Sequence, residues 1–401
     1  MNVDNPSCKD LATASRFAHT VGVCHLAERL MRTGHVAAAD ADVLIAVAVL
    51  HDMGIPPFGH LVEQALDELD PPFNHEVLAR KIVEGTYAPE NKYHQIFADQ
   101  SLKLGSILDR HHVDTERVFR ILAAESGPSL ISGAVDLDNI DNLVRMAALL
   151  GLGHHKQLAY TLISSLKVVP DGTVLIPERA VAEVLDLMRI RALCYEIMLY
   201  TEENIAYSAL LHELAILAVT HKLITKDAWF LTDDAFLRVL CSQPVTKSLA
   251  KQLLTGLRYK TLAAVRVDFS ALAGAVLNSN KKREFTKQLA DEAGLAERDW
   301  ASIFVWYEYG KVSRTIRIAD QSHQRVIGST SSSALVALIQ KRRPQKSGHG
   351  LGTDFRRSWP QLVQKVACNF GQILAVNSIR GLEQVGLEVD EDDVEFQPRL
   401  F

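Results

Sequence analysis

A mainly α fold with a smaller α+β C-terminal region is what this 401-residue sequence predicts. Apolar residues recur at three-to-four spacing through the first 240 residues, the pattern of helices buried by one face. Beyond about residue 260 that period loosens into short alternating runs, 302–309 and 312–318, which read as strands. The boundary is placed near residue 240, giving a helical domain over 1–240 and a mixed region over 241–401.

The elements are taken in chain order. Residues 9–33 carry Phe17, Val21, Val23, Cys24, Leu26 and Leu30 at helical spacing, and Gly34 stops that helix. Residues 40–53 are apolar on almost every side, which predicts a core helix. Two short helices are expected at 59–69 and 74–85, separated by Asp70-Pro71-Pro72 and closed by Gly85. Further helices are predicted over 92–109, 115–124 and 136–150, the last ending at the glycines of 151–153. Pro170-Asp171-Gly172 between β-branched runs signals a hairpin over 167–176. Helices resume over 178–224, and Asp227 begins another. Residues 320–358 hold Ser-rich and Gly-rich loops around the basic tract Lys341-Arg342-Arg343-Pro344-Gln345-Lys346. Asp390-Glu391-Asp392-Asp393 makes the C-terminus acidic.

Composition narrows the function classes. A hydrophobic content of 48% can fill a large core, and the net charge of −5 gives no global field drawing the chain to nucleic acid. Five scattered cysteines without a CxxC pair argue against a disulfide framework and for a reducing compartment. No basic segment followed by an apolar stretch opens the chain, and its apolar runs are too interrupted to span a bilayer. A soluble cytoplasmic protein without a membrane partner is the expectation.

The chemistry starts at His51-Asp52, which ends the apolar run 43–50 and precedes a turn-rich string, Met53-Gly54-Ile55-Pro56-Pro57-Phe58-Gly59-His60. An adjacent imidazole and carboxylate at a buried helix end can bind one divalent metal ion. The turn redirects the chain so that His60 and Glu63, three apart, return on one helix face. His75-Glu76 opens another helix, whose N-terminus attracts anions. Three further pieces have the spacing needed to complete the site, Arg16-Phe17-Ala18-His19, Asn74-His75-Glu76 and Asp136-Leu137-Asp138, and a mixed His/Asp set suits Mn²⁺, Fe²⁺, Co²⁺, Zn²⁺, Ni²⁺ or Mg²⁺. Metal-dependent hydrolysis of a phosphate ester is the leading reading.

Four ordered motifs then carry a likeness. Arg16-Phe17-Ala18-His19, the stretch from Leu50-His51-Asp52-Met53-Gly54 to His60-Leu61-Val62-Glu63, Phe73-Asn74-His75-Glu76, and Asp136-Leu137-Asp138-Asn139-Ile140-Asp141-Asn142-Leu143-Val144-Arg145 resemble the HD superfamily of metal-dependent phosphohydrolases. The similarity is closest to its deoxynucleoside triphosphate triphosphohydrolase branch and covers roughly the first 150 residues. It implies an HD-domain helical bundle in which His19, His51, Asp52 and Asp138 hold one metal. Asp136 would lie on a different helical face from Asp138. The resemblance makes His60, Glu63 and His75 the catalytic or phosphate-contacting group, with Glu76 nearby. Arg16, Asn139, Asn142 and Arg145 fall on its substrate side. The implied substrate is a nucleotide, and a homo-oligomer is expected.

The departures bear on substrate. Asn139 and Asn142 stand where the branch has a basic residue and a sugar-stacking tyrosine, and Met146 follows Arg145 where an aspartate is usual. Its Tyr-x-His-Lys helix is matched here by the acidic Glu202-Glu203-Asn204-Ile205-Ala206-Tyr207. Removing two cations from a triphosphate site should cost on the order of several kcal/mol. Two alternatives stay open: a phosphatase of a nucleoside monophosphate or other small phosphorylated metabolite, and a nucleotide-binding regulator that retains the metal fold. The basic tract 341–346 or Arg356-Arg357 could also replace the missing cations.

Overall fold

The computed structural model describes residues 15–36, 40–67, 73–90, 104–123, 129–131, 133, 135–169, 173–255, 259–269, 279–295, 300–309, 316–319, 324–327, 332–341, 353–371 and 373–379. The first helix, α1, is Arg16–Met31, and it begins where the Ser15 side chain accepts the Ala18 N–H at 3.1 Å. α2 (Ala41–Leu50) is the apolar core helix and runs straight into His51. α3 (His60–Leu66) and α4 (His75–Val83) are the two short helices, the second capped by Asn74. Then come α5 (Leu104–Arg110), α6 (Thr115–Leu122) and α7 (Leu137–Leu149). α7 starts at Asp136, whose carboxylate accepts the N–H groups of Asn139 and Gly133.

α8 (Lys156–Ser165) precedes the expected hairpin, in which β1 (Lys167–Val168) pairs antiparallel with β2 (Val174–Leu175). Its Pro170-Asp171-Gly172 turn lies outside the described residues, as do Asp70-Pro71-Pro72, 92–103, 342–346 and Asp390-Glu391-Asp392-Asp393. The helical stretch expected over 178–224 is two helices, α9 (Val181–Leu199) and α10 (Glu202–Thr220), divided at Tyr200-Thr201. Asp227 sits in a short 3₁₀ turn, and α11 (Asp233–Ser242) and α12 (Pro244–Thr255) come next.

The C-terminal α+β region is built on one antiparallel sheet. β3 (Lys260–Phe269), β4 (Ala301–Tyr309), β7 (Ser332–Gln340) and β8 (Ile373–Ser378) lie in the order β4-β7-β3-β8. β5 (Ile316–Ala319) and β6 (Gln324–Ile327) form a separate hairpin. α13 (Ser279–Glu292) and α14 (Thr353–Ala367) cover one face of the sheet through Phe285, Leu289, Trp359 and Val363. The opposite face, with Ala264, Phe304, Leu335 and Ala337, packs on the helices.

Three apolar clusters result. The first gathers Val23, Leu26 and Leu30 of α1, Val47 and Leu50 of α2, and Leu137, Ile140 and Leu143 of α7. The second gathers Leu61, Val62 and Leu66 of α3 and Leu78 and Ile82 of α4 with Leu210 and Leu214 of α10, Phe236 of α11 and the sheet. Among the described residues no helix is long and apolar enough to cross a membrane.

Trp359 fills the third cluster with its ring fully buried and its indole N–H bonded to the Val336 carbonyl at 3.3 Å. Trp359→Ala is expected to remove about 3–5 kcal/mol of unfolding free energy. Urea titration followed by circular dichroism checks this; a loss below about 1 kcal/mol would refute the packing of α14 on the sheet.

Candidate metal centre and acid–base group

His19 is buried in the first turns of α1, so its polar atoms need partners. Both come from α7: Nδ1 lies 2.7 Å from Asp141 Oδ2 and Nε2 lies 2.9 Å from Asp138 Oδ1. The two carboxylates are three residues apart and therefore share a helix face. Burial alone would lower the imidazole pKa, but the hydrogen bonds to Asp138 and Asp141 and the charges of Asp138 and Asp52 outweigh it and push the pKa up to about 9. Asp141 is fixed in turn by Arg145, with Nη2 2.9 Å from Oδ1 and Nε 3.1 Å from Oδ2. The same Nη2 donates to the Ala18 carbonyl at 3.1 Å, tying α7 to α1. Gly22 lets this pair pass: a Cβ there would sit 2.0 Å from Asp141 Oδ1 and 2.5 Å from Arg145 Nη2.

His51 caps α2 and turns back on it, with Nδ1 2.9 Å from the Ala48 carbonyl. A carbonyl only accepts, so Nδ1 carries the hydrogen and Nε2 offers a lone pair. That Nε2 lies 3.3 Å from His19 Nε2. Ligand atoms of His19, His51 and Asp138 come within 4.8 Å of one another. Two nitrogens and a carboxylate converge while the outer nitrogens are held by a carboxylate and a carbonyl, the arrangement that orients metal-binding histidines. The donor set fits a divalent cation of the borderline kind. Asp52 borders this group, its Oδ1 3.7 Å from His51 Nε2 and its Oδ2 3.5 Å from Arg16 Nη1. Burial would raise the Asp52 pKa, but the charges of His51, Arg16 and His19 hold it below the usual carboxylate range.

The second group is built by Glu63. Its Oε2 lies 2.8 Å from His60 Nδ1 and its Oε1 lies 2.6 Å from His75 Nδ1, while the His75 backbone N–H reaches Oε1 at 3.3 Å. Burial works to protonate Glu63, yet bonds to His60 and His75 overcome it and drive its pKa far down. An ionised carboxylate only accepts, so both histidines carry hydrogen at Nδ1 and direct Nε2 away from Glu63. His75 is itself raised above its ordinary value: burial opposes the charged ring, but the bond to Glu63 and the charges of Glu63, Glu76 and Asp52 win. The influence of Asp52 brings the two groups into one electrostatic neighbourhood. Gly54, at φ +83°, allows the contact, because a Cβ there would lie 3.1 Å from the His75 carbonyl.

Other expected residues sit differently. Glu76 is exposed in the first turn of α4. Asn139 is buried, donating to Asp136 and the Gly133 carbonyl and accepting from the fully buried Arg191 at 2.6 Å. Asn142 lies one turn beyond Asp138, and its buried Oδ1 has no hydrogen-bond partner among the described residues. Arg145 is engaged with Asp141 and Ala18. Lys341 pairs with Glu213 at 2.7 Å, and the rest of its basic tract lies outside the described residues. Sequence reasoning assigned no role to Asp141, although Asp138-x-x-Asp141 with Arg145 one turn on was its visible signal.

Residues 16–146 match the HD domain model, so the chain carries an HD domain over that stretch. Proteins named deoxyguanosinetriphosphate triphosphohydrolase-like from Sinorhizobium medicae and Allorhizobium ampelinum are each 39% identical over 72 residues, 17% of this chain and 17% of theirs. One from Nitrobacter hamburgensis is 43% identical over 53 residues, 13% of this chain and 12% of its own. The chain thus matches under a fifth of the length of these relatives. A hypothetical protein from Aquifex aeolicus shares the fold over 91% of this chain and 90% of its own, with a TM-score of 0.55 and 16% identity.

Two outcomes are expected. Gly22→Ala should force Asp141 and Arg145 apart and cost about 1–3 kcal/mol in thermal or urea unfolding; wild-type stability would contradict the close packing. The metal-free protein should be most stable between about pH 4.5 and 6.5. The raised His19 contributes fully below its ordinary 6.5 and loses that contribution as pH climbs through about 9; the lowered Glu63 contributes fully above its ordinary 4.5. A flat melting temperature from pH 6.5 to 9 would contradict the His19 assignment.

Proposed function

We propose that this protein is a metal-dependent phosphohydrolase acting on a nucleotide or deoxynucleotide. The observation that carries the reading is the Glu63-bridged histidine pair set beside the convergent His19, His51 and Asp138 donors. His19, His51 and Asp138 would hold one divalent cation, with Asp52 completing the set. Such a cation acidifies a bound water and draws charge from a phosphoryl oxygen.

The chain's own groups perform the rest. Glu63 keeps His60 and His75 in one tautomer, so their Nε2 atoms are free for the substrate. His75 retains its proton to higher pH than an ordinary histidine and is suited to protonate the departing ester oxygen at Nε2. His60, half exposed, is placed to meet a phosphoryl oxygen. Arg16 stands against Asp52 with a third of its side chain exposed, a guanidinium ready for a second phosphate oxygen.

A smaller phosphate ester is the second reading, and the polar inventory favours it. Asn139 is closed off in the Asp136–Arg191 network, and the first turn of α10 offers Glu202 and Glu203 rather than cations. A nucleoside monophosphate needs fewer positive partners than a triphosphate. We also propose a homo-oligomer, a cytoplasmic setting, and residues 1–240 as the hydrolytic part.

Protein stripped of metal and reloaded with Mn²⁺, Co²⁺, Zn²⁺ or Mg²⁺ should hydrolyse members of a nucleotide and phosphometabolite panel, with phosphate and triphosphate release monitored separately. Asp52→Ala should abolish turnover; survival of activity in it overturns the reading. Glu63→Gln should lower kcat by roughly 10²–10⁴-fold with Mn²⁺ binding retained.

A further inference from the structure

The acid–base group is reached through a strained turn. Phe58 stands at φ +55° with its side chain buried, a conformation that a bulky residue adopts only under constraint. Gly59 comes next at φ 59° and ψ −134°, and then His60, the first residue of α3. Backbone in such regions persists only where its surroundings over-determine it. Two contacts do so, and both come from α11. The Phe58 N–H donates to Asp233 Oδ1 at 3.0 Å. The Phe58 ring meets the fully buried ring of Phe236 edge to face, centroids 5.9 Å apart.

We infer that Asp233 is a positioning residue for the His60–Glu63–His75 group, a role that rests on the proposed phosphohydrolase function. Its carboxylate holds the peptide of Phe58, and thereby the direction in which α3 departs and the place where His60 and Glu63 are delivered. Asp233 lies outside the stretch 16–146 that matches the HD domain, so the turn is held from another part of the chain. Among the described residues its carboxylate bonds the Phe58 N–H and makes no hydrogen bond to His19, His51 or Asp138. Asp234, its neighbour in the first turn of α11, gives a matched control, because it carries the same charge at the same helix end but pairs with Arg238 at 2.6 Å.

The test compares Asp233→Ala, Asp233→Asn and Asp234→Ala, using Mn²⁺-loaded full-length protein and the best substrate of the panel. Asp233→Ala should lower kcat on the order of tenfold or more, leaving KM and Mn²⁺ affinity within about twofold. Asp233→Asn, which keeps an acceptor oxygen, should recover most of the rate. In metal-free protein, imidazole NMR titration should show the His75 pKa falling toward its ordinary value in Asp233→Ala and unmoved in Asp234→Ala. Wild-type kcat and titration in Asp233→Ala, or equal losses in Asp234→Ala, would overturn the inference. Should the wild-type protein hydrolyse nothing on the panel, the proposed function fails, and the His75 titration still decides whether Asp233 positions the group.

Discussion

Everything at the candidate site hangs on His19 being buried between two carboxylates of one helix. A histidine so enclosed must have both nitrogens satisfied, and α7 supplies Asp138 to one and Asp141 to the other. Two ionised carboxylates one turn apart repel each other, so the arrangement needs positive charge between them. In the metal-free state the proton on His19 provides it, which is why the pKa is high despite burial. A divalent cation on the Nε2 side would replace that proton, and the short His19–His51 separation marks where it would be shared. Arg145 completes the balance from behind, and Gly22 is the residue without which the three groups could not approach.

The two halves of the site stand on different apolar cores. The helices of His19, His51 and Asp138 pack in the first cluster, while α3 and α4, bearing His60, Glu63 and His75, pack in the second with α10, α11 and the sheet. Residues 52–59 join them. Met53 touches both clusters, Gly54 presses on the start of α4, and the turn ends at the strained Phe58. The distance between the His19–His51–Asp138 group and the His60–Glu63–His75 group is therefore set by how the two cores meet.

This division explains what could be read from the sequence. α1, α2, α4 and α7 were legible because their apolar faces repeat cleanly and Ser15, Asn74 and Asp136 cap three of them. The candidate residues were legible because they lie in short strings with fixed helical offsets. β3 was missed because most of its positions are buried, so a single alternation does not stand out. α14 was hidden by Pro360 in its interior, and α8 by the glycine-rich approach to it. The break at Tyr200-Thr201 did have a local signal, a threonine N-cap followed by the first-turn acids Glu202 and Glu203. Asp233 could not have been read at all, since nothing local to residue 233 announces a peptide 175 positions earlier.

The same long-range dependence bears on substrate choice. The candidate metal donors His19, His51 and Asp138 stand on or at the ends of α1, α2 and α7, which pack in the first core. The stretch that the sequence comparison set against a phosphate-holding helix is the first turn of α10, and α10 packs with the sheet on the second core. In this chain that side presents Glu202, Glu203 and a Lys341 already neutralised by Glu213. On the proposed function, Glu202 and Glu203 would repel each added phosphate, offset in part by Arg356 and Lys260 near Glu202, whereas the first phosphate would lie beside Arg16 and the cation donors. This distribution of charge among the described residues would, on the proposed function, separate cleavage of a phosphate ester from the holding of a long polyphosphate.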